Sequence, residues 1–163
     1  MDHWGYYNGP NSSNGSLFPA HTVLGHAIPG ADLTPHWPCT SANMLTSVTY
    51  KGGGKKEFEY EPNRLTSGEI IGGVRIKEIR EYASATAPVS VTRYEYLEGE
   101  AYDTDIYYTS VDTESSYLAN TFTYRINSMS FNALFDQNGS PIVYPPVKET
   151  LPDGSYTLYR YSS

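Results

Sequence analysis

Four groups of residues have the types and spacings that chemistry requires. His21 and His26 stand five apart, and His36 lies three before Cys39. Imidazole and thiolate are the usual zinc ligands, taken three or four at a time at about 2 Å. No histidine pair has the helical spacing of a His-Glu-x-x-His motif. Cys39 is the single cysteine, which excludes an intrachain disulfide and any cysteine-based structural zinc site. These histidines read as loop residues, with no metal and no cofactor expected. A nucleophilic cysteine needs a base and an electropositive setting. His36 is local to Cys39, but the first lysine or arginine is Lys51, so the thiol reads as inert.

Asp103, Asp105, Asp112 and Glu114 make an acidic run. Asp-x-Asp can ligate calcium, but the central glycine and terminal glutamate of an EF-hand loop are missing. Any two of these carboxylates suit a glycosidase by type, though their separation is not legible in sequence. A solvated loop is the simpler reading. Gly52-Gly53-Gly54-Lys55-Lys56 looks like a phosphate cradle, but a P-loop needs Gly-Lys-Ser/Thr between a strand and a helix. Here Glu57 follows and both flanks read as strands, so the glycines form a turn. The aromatic set Trp4, Tyr6, Tyr7 and Trp37 is the candidate ligand-binding group. Flat rings stack on the apolar faces of sugars, and amphipathic aromatics are common at binding surfaces. The competing reading is that these rings anchor a loop segment with little else to bury.

The elements that position these groups follow from composition. The chain has 163 residues, 16 of them tyrosine, with 14 glycines, 11 prolines and a net charge of −7. That length suits one domain able to bury a core without staples. The acidic balance argues against nucleic-acid partners and anionic membrane surfaces. No apolar run approaches the roughly 18 residues of a membrane-spanning helix, so no membrane insertion of this segment is expected. Met1 is followed at once by Asp2-His3-Trp4, without the basic and apolar regions of a secretory signal. The abrupt start and the strand-like end point to a piece of a longer protein.

Residues 1–43 carry Asp2 and Asp32 as their only acidic or basic side chains apart from histidine. They hold both tryptophans, all four histidines and only two tyrosines, with turn formers such as Asn8-Gly9-Pro10-Asn11 and Pro29-Gly30. This segment reads as irregular structure packing on the domain through its aromatic residues. Residues 44–163 read as an antiparallel β domain. Strands are expected at 44–50, 55–60, 89–96, 105–111, 120–126, 147–150 and 155–161. Phe58 and Tyr60 alternate with Glu57 and Glu59, as on a strand with one wet face. Gly52–Gly54, Asn138-Gly139 and Asp153-Gly154 mark hairpin turns. Pro62-Asn63 is expected to end the first hairpin, and Gly72-Gly73 to open the next unit. In 74–82, Ile79 breaks the alternation of Val74 and Ile76. A short helix and a bulged strand both fit; the strong strand at 89–96 favours the bulged strand. Residues 128–134 fit neither pattern clearly.

Several phrases in order carry a resemblance. They are Asp2-His3-Trp4-Gly5-Tyr6-Tyr7-Asn8-Gly9, residues 44–63, Gly72-Gly73-Val74-Arg75-Ile76-Lys77-Glu78-Ile79 and Arg93-Tyr94-Glu95-Tyr96. Ile142-Val143-Tyr144-Pro145-Pro146-Val147 and Asp153-Gly154-Ser155-Tyr156-Thr157 follow. This order resembles a segment of large Bacteroidetes surface or secreted proteins related to the RHS/YD-repeat group. Lys51-Gly52-Gly53-Gly54 replaces the Pro-Thr-Gly-Gly often found at the first turn. Tyr102-Asp103 is the one Tyr-Asp dipeptide, so a shell of many repeats is not implied. The resemblance implies a cell-envelope or extracellular setting and a β-rich structural role. It supplies no catalytic residues.

The expectation is therefore an all-β fold of antiparallel hairpins, forming a sheet or sandwich of about seven to nine strands, with a long irregular N-terminal segment. The expected role is a non-enzymatic structural or interaction module. Its partners would be other segments of the same large protein, a surface protein or a glycan. A carbohydrate-binding module is the alternative, and a glycosidase or metal-dependent hydrolase a second one.

Overall fold

The computed structural model describes residues 1–10, 16, 18–23, 25–83, 88–104, 106, 109–115, 120–127, 130, 133–135 and 139–161, with only the backbone at 23, 109–115, 120–124 and 126. The fold is all-β and antiparallel, and among the described residues there is no α-helix. The strands are β1 (His21–Val23), β2 (His26–Ile28), β3 (Ser47–Thr49), β4 (Lys55–Arg64), β5 (Ile70–Tyr82), β6 (Ser90–Tyr96), β7 (Glu100–Ala101), β8 (Thr109–Ser115), β9 (Asn120–Ile126), β10 (Ile142–Val143), β11 (Pro146–Thr150) and β12 (Tyr156–Arg160). Six of them form one sheet in the order β12-β11-β6-β5-β4-β3. The pairs β1-β2, β7-β10 and β8-β9 are separate two-stranded ribbons. The six-stranded sheet is the largest unit; the other described strands form only two-stranded ribbons. The strands beyond the expected number are β1, β2, β7 and β10, each two or three residues long and below the length at which alternation is readable.

The glycine-rich segment turns β3 into β4, with Tyr50 N–H donating to the Gly54 carbonyl at 2.8 Å and Gly53 at φ 88°. Asp153-Gly154 turns β11 into β12, and the Asp153 carboxylate accepts the Ser155 N–H at 2.9 Å. Asn138, of the third expected turn, and Asp105 lie outside the described residues.

The alternative over 74–82 is resolved as a strand. Glu59 pairs with Glu78 and Tyr60 with Ile76, which leaves Lys77 as the extra residue of a bulge on β5. The bulge explains the broken alternation: it returns Ile76 to the face that Ile79, Phe58 and Tyr60 share. Pro62-Asn63 does not end β4, which runs on to Arg64. Phe58 N–H points toward the β3 side, donating to the Thr46 carbonyl at 2.9 Å. By alternation the Pro62 nitrogen faces the same side, beyond the point where β3 has stopped. A proline costs no ladder bond there. Nor does Gly72-Gly73 open β5; both lie inside it, against the side chains of Trp4 and Tyr6.

The sheet has two unlike faces. One carries ion pairs: Glu61 with Arg75 at 2.7 Å, Glu59 with Lys77 at 2.6 Å, and Glu95 with Lys148 at 3.2 Å. On this face Glu78 is buried between Arg80 and Arg93, which come from β5 and β6. Most of these pairs reach solvent, where a single pair adds little stability. The lattice they form neutralises the face. Register places Val48, Phe58, Tyr60, Ile79, Thr92, Tyr94, Val147 and Tyr159 on the opposite face, whose charges are the Lys56–Glu81 ion pair at 2.7 Å toward one edge and Glu149 toward the other. The buried core lies elsewhere. Trp4, Ile71, Leu134 and Ile142 form it, where the N-terminal segment and β7-β10 meet the start of β5.

Candidate functional site

The four candidate ligand-binding rings separate in the structure. Trp4 is 8% exposed and belongs to the core cluster, so its ring does the packing that the competing reading assigned to it. Asp2 sets its position: one carboxylate oxygen accepts the N–H groups of Trp4 at 3.0 Å and Tyr6 at 2.9 Å. Burial pushes the Asp2 carboxyl above its usual range, against those two bonds. Tyr6 packs on the same core. Tyr7 is 48% exposed, and Trp37 is half-buried beside a cis bond to Pro38. The four rings therefore do not share one face.

The remaining sequence candidates are placed as follows. His36 Nδ1 lies 3.1 Å from Cys39 Sγ, while His21 Nδ1 sits 2.8 Å from the Pro19 carbonyl. Among the described residues no group of three or more His, Cys, Asp and Glu side chains converges as metal ligands. The side chains of Asp112 and Glu114 lie outside the described atoms.

Two clusters escaped the sequence reading. The first joins the sheet to the core. The Arg75 guanidinium lies over the rings of Tyr96 and Tyr144, 4.4 and 4.8 Å from their centroids, while its Nε donates to Glu61. Tyr144 OH donates to Asn63 Oδ1 at 3.1 Å and accepts the Arg64 N–H at 3.2 Å. Asn63 Nδ2 donates to the Gly72 carbonyl, and Tyr96 OH to that of Ile76. Burial pushes the Tyr96 phenol up to about 12 despite the nearby Arg75 cation, and raises Tyr144 as well. These groups are directed at one another, so the cluster ties β4, β5, β6 and the start of β11 together. Tyrosine density in the sequence was its only visible trace.

The second cluster clamps the far strands. Glu149 on β11 accepts Tyr94 OH from β6 at 2.9 Å and Tyr159 OH from β12 at 2.8 Å. Burial first, and then the bond to Glu149, push Tyr94 up to about 12. A phenol whose pKa is raised by folding favours the folded state while it is neutral. That stability is complete below the ordinary value of 10 and drains away as pH rises toward 12. Ultraviolet titration of the native protein should show two tyrosines ionising only near 12, with the melting temperature falling between pH 10 and 12. The denatured chain should titrate all its tyrosines near 10.

Where β6 and β12 end and β11 begins lies an open groove of about 360 Å³. Leu97, Pro146 and Leu158 give it an apolar floor, and Glu98 and Arg160 give it charge of both signs. Leu97 is 52% exposed and Tyr161, at its rim, 60%.

No protein-family model, curated protein or solved structure matches the chain. The functional reading therefore rests on geometry. Glu57 and Glu59, on the ion-paired face, are poor proton donors at neutral pH. Hydrogen bonds from Lys55 and Tyr82 hold Glu57 below the usual carboxylate range, and bonds from Lys77 and Arg80 do the same for Glu59. A glycosidase acid needs the opposite shift. Among the described residues no helix is long and apolar enough to cross a membrane.

Proposed function

We propose that this chain is a non-enzymatic structural and interaction module of a bacterial cell-envelope or secreted protein of the RHS/YD-repeat kind. In that role its apolar sheet face packs against another segment of the same large protein. The segregation of the two faces supports this most directly. One face neutralises its own charges, whereas Phe58, Ile79 and Thr92 line up half-buried across three strands of the other. A sheet with one apolar face gains stability by covering it.

The experiment is calorimetric titration of the purified chain with the segments that flank it in the encoded protein. Binding is expected with the wild-type chain. Ile79→Lys, which charges the centre of the apolar face, should abolish it while the far-UV circular dichroism stays β-type. Absence of binding to every flanking segment would sink this reading. The carbohydrate alternative keeps one supporting observation: of the four candidate rings Tyr7 is the exposed one, at 48%. It predicts glycan-array hits that Tyr7→Ala removes.

A further inference from the structure

The last strand of the six-stranded sheet, β12, is its most open strand. All five of its residues are exposed, and among the described residues its outer side is unpaired. Alternation shows which groups it offers. Tyr161 N–H donates inward to the Pro145 carbonyl at 2.7 Å, and Leu151 N–H donates to the Ser155 carbonyl at 2.8 Å. Residues 155, 157, 159 and 161 thus turn their main chain toward β11. The N–H and C=O groups of Tyr156, Leu158 and Arg160 point outward.

Natural edge strands are blunted by shortness, proline, bulges or inward charge. The opposite edge, β3, is three residues long. β12 has no such device. Its register with β11 is unbroken, it contains no proline, and Tyr156-Thr157-Leu158-Tyr159-Arg160 is rich in strand formers with a single charge.

We infer that β12 pairs antiparallel with β12 of a second copy of this chain, about a two-fold axis at Leu158. This goes beyond the apolar-face reading and does not depend on it. In this register the outward groups of each copy meet in about six main-chain hydrogen bonds. Tyr156 lies opposite the partner's Arg160, and Leu158 opposite the partner's Leu158. The side chains of Tyr156, Leu158 and Arg160 share one face, that of Lys148. A guanidinium over a phenol ring is a favourable pair, and this protein already uses it where Arg75 meets Tyr96 and Tyr144. The groove lined by Leu97, Pro146, Leu158 and Arg160 lies where the partner's Tyr156 ring, 64% exposed in one copy, arrives. Sliding the register so that Arg160 faces the partner's Arg160 would oppose two cations and lose main-chain bonds. Complementarity therefore selects the Leu158-centred pairing, and with it an isologous dimer.

Sedimentation across a concentration series tests this on the full chain. The wild-type mass is expected to rise from one chain to two. Leu158→Pro removes an outward N–H that the β11-β12 ladder does not use. It should leave a monomer with unchanged circular dichroism. Leu158→Lys sets two cations on the axis and should also be monomeric, which covers the case that the proline variant folds poorly. Tyr156→Arg should weaken association about tenfold or more by opposing the partner's Arg160, and adding Arg160→Tyr should restore it. A wild-type chain that stays monomeric at every concentration overturns the inference. A dimer that survives Leu158→Pro or Leu158→Lys does the same. Neither result touches the flanking-segment titration, whose target is the opposite feature of the sheet.

Discussion

Trp4→Ala is expected to cost about 3–5 kcal/mol of stability, the range for truncating a buried tryptophan. For a chain of this size that is a fall in melting temperature of about 10 °C or more. The cost arises because Trp4 is one of only four buried side chains in the core cluster among the described residues, with Ile71, Leu134 and Ile142. Removing the ring takes packing from this cluster and leaves a cavity that β5, held in the sheet by its neighbours, cannot collapse to fill. Thermal or urea denaturation measures the loss. The result separates the two readings of this residue. A sugar-stacking tryptophan would lose ligand affinity while the melting temperature stayed nearly unchanged. A shift of less than about 1 kcal/mol, below the usual cost of a core truncation, would contradict the core role.

Gly72→Ala is expected to destabilise by about 3 kcal/mol, the upper end of overpacking costs. A Cβ at this position would stand 2.5 Å from Trp4 Cβ, 2.8 Å from Tyr6 Cδ2 and 2.9 Å from Trp4 Cγ. The nearest of these atoms is fixed to the backbone, so a rotamer change cannot relieve it. Either β5 or the 2–6 turn must move. That turn is held by the Asp2 carboxylate and by Asp2 N–H donating to the Tyr6 carbonyl at 2.7 Å. The two substitutions should not add. Trp4→Ala keeps the Cβ contact but opens space beside it, so the double variant should lose about 1 kcal/mol less than the sum. Full additivity would mean that Gly72 acts through something other than the Trp4 contact.

These two residues also show where sequence reading reaches its limit. Alternation in Lys55–Tyr60 placed Glu57 and Glu59 opposite Phe58 and Tyr60, and the pairings of β4 bear this out. The run 120–126 coincides with β9, and the Asp153-Gly154 turn joins β11 to β12 as its residues dictate. Each of these features is local. A two-residue period or a positive-φ glycine is written in neighbouring residues. The bulge in β5 was half legible: Ile79 out of phase announced it, but only the pairing of Glu59 with Glu78 and of Tyr60 with Ile76 located it at Lys77.

By itself, the sequence determined that this chain is an antiparallel β protein, where most of its longer strands and turns lie, and that its first 43 residues differ in kind. Tertiary structure alone decided which aromatics are buried and which meet solvent. Trp4 and Tyr7 are three residues apart, yet one is core and the other surface, because Ile71 and Ile142 close over the first. The same holds for the tyrosines. Tyr94 and Tyr159 become a clamp only when Glu149 arrives between them, and Tyr144 joins Arg75 across 69 positions of chain. The physical reason is that burial and hydrogen-bond partnership depend on segments distant in sequence. Strand period and turn geometry depend on neighbours.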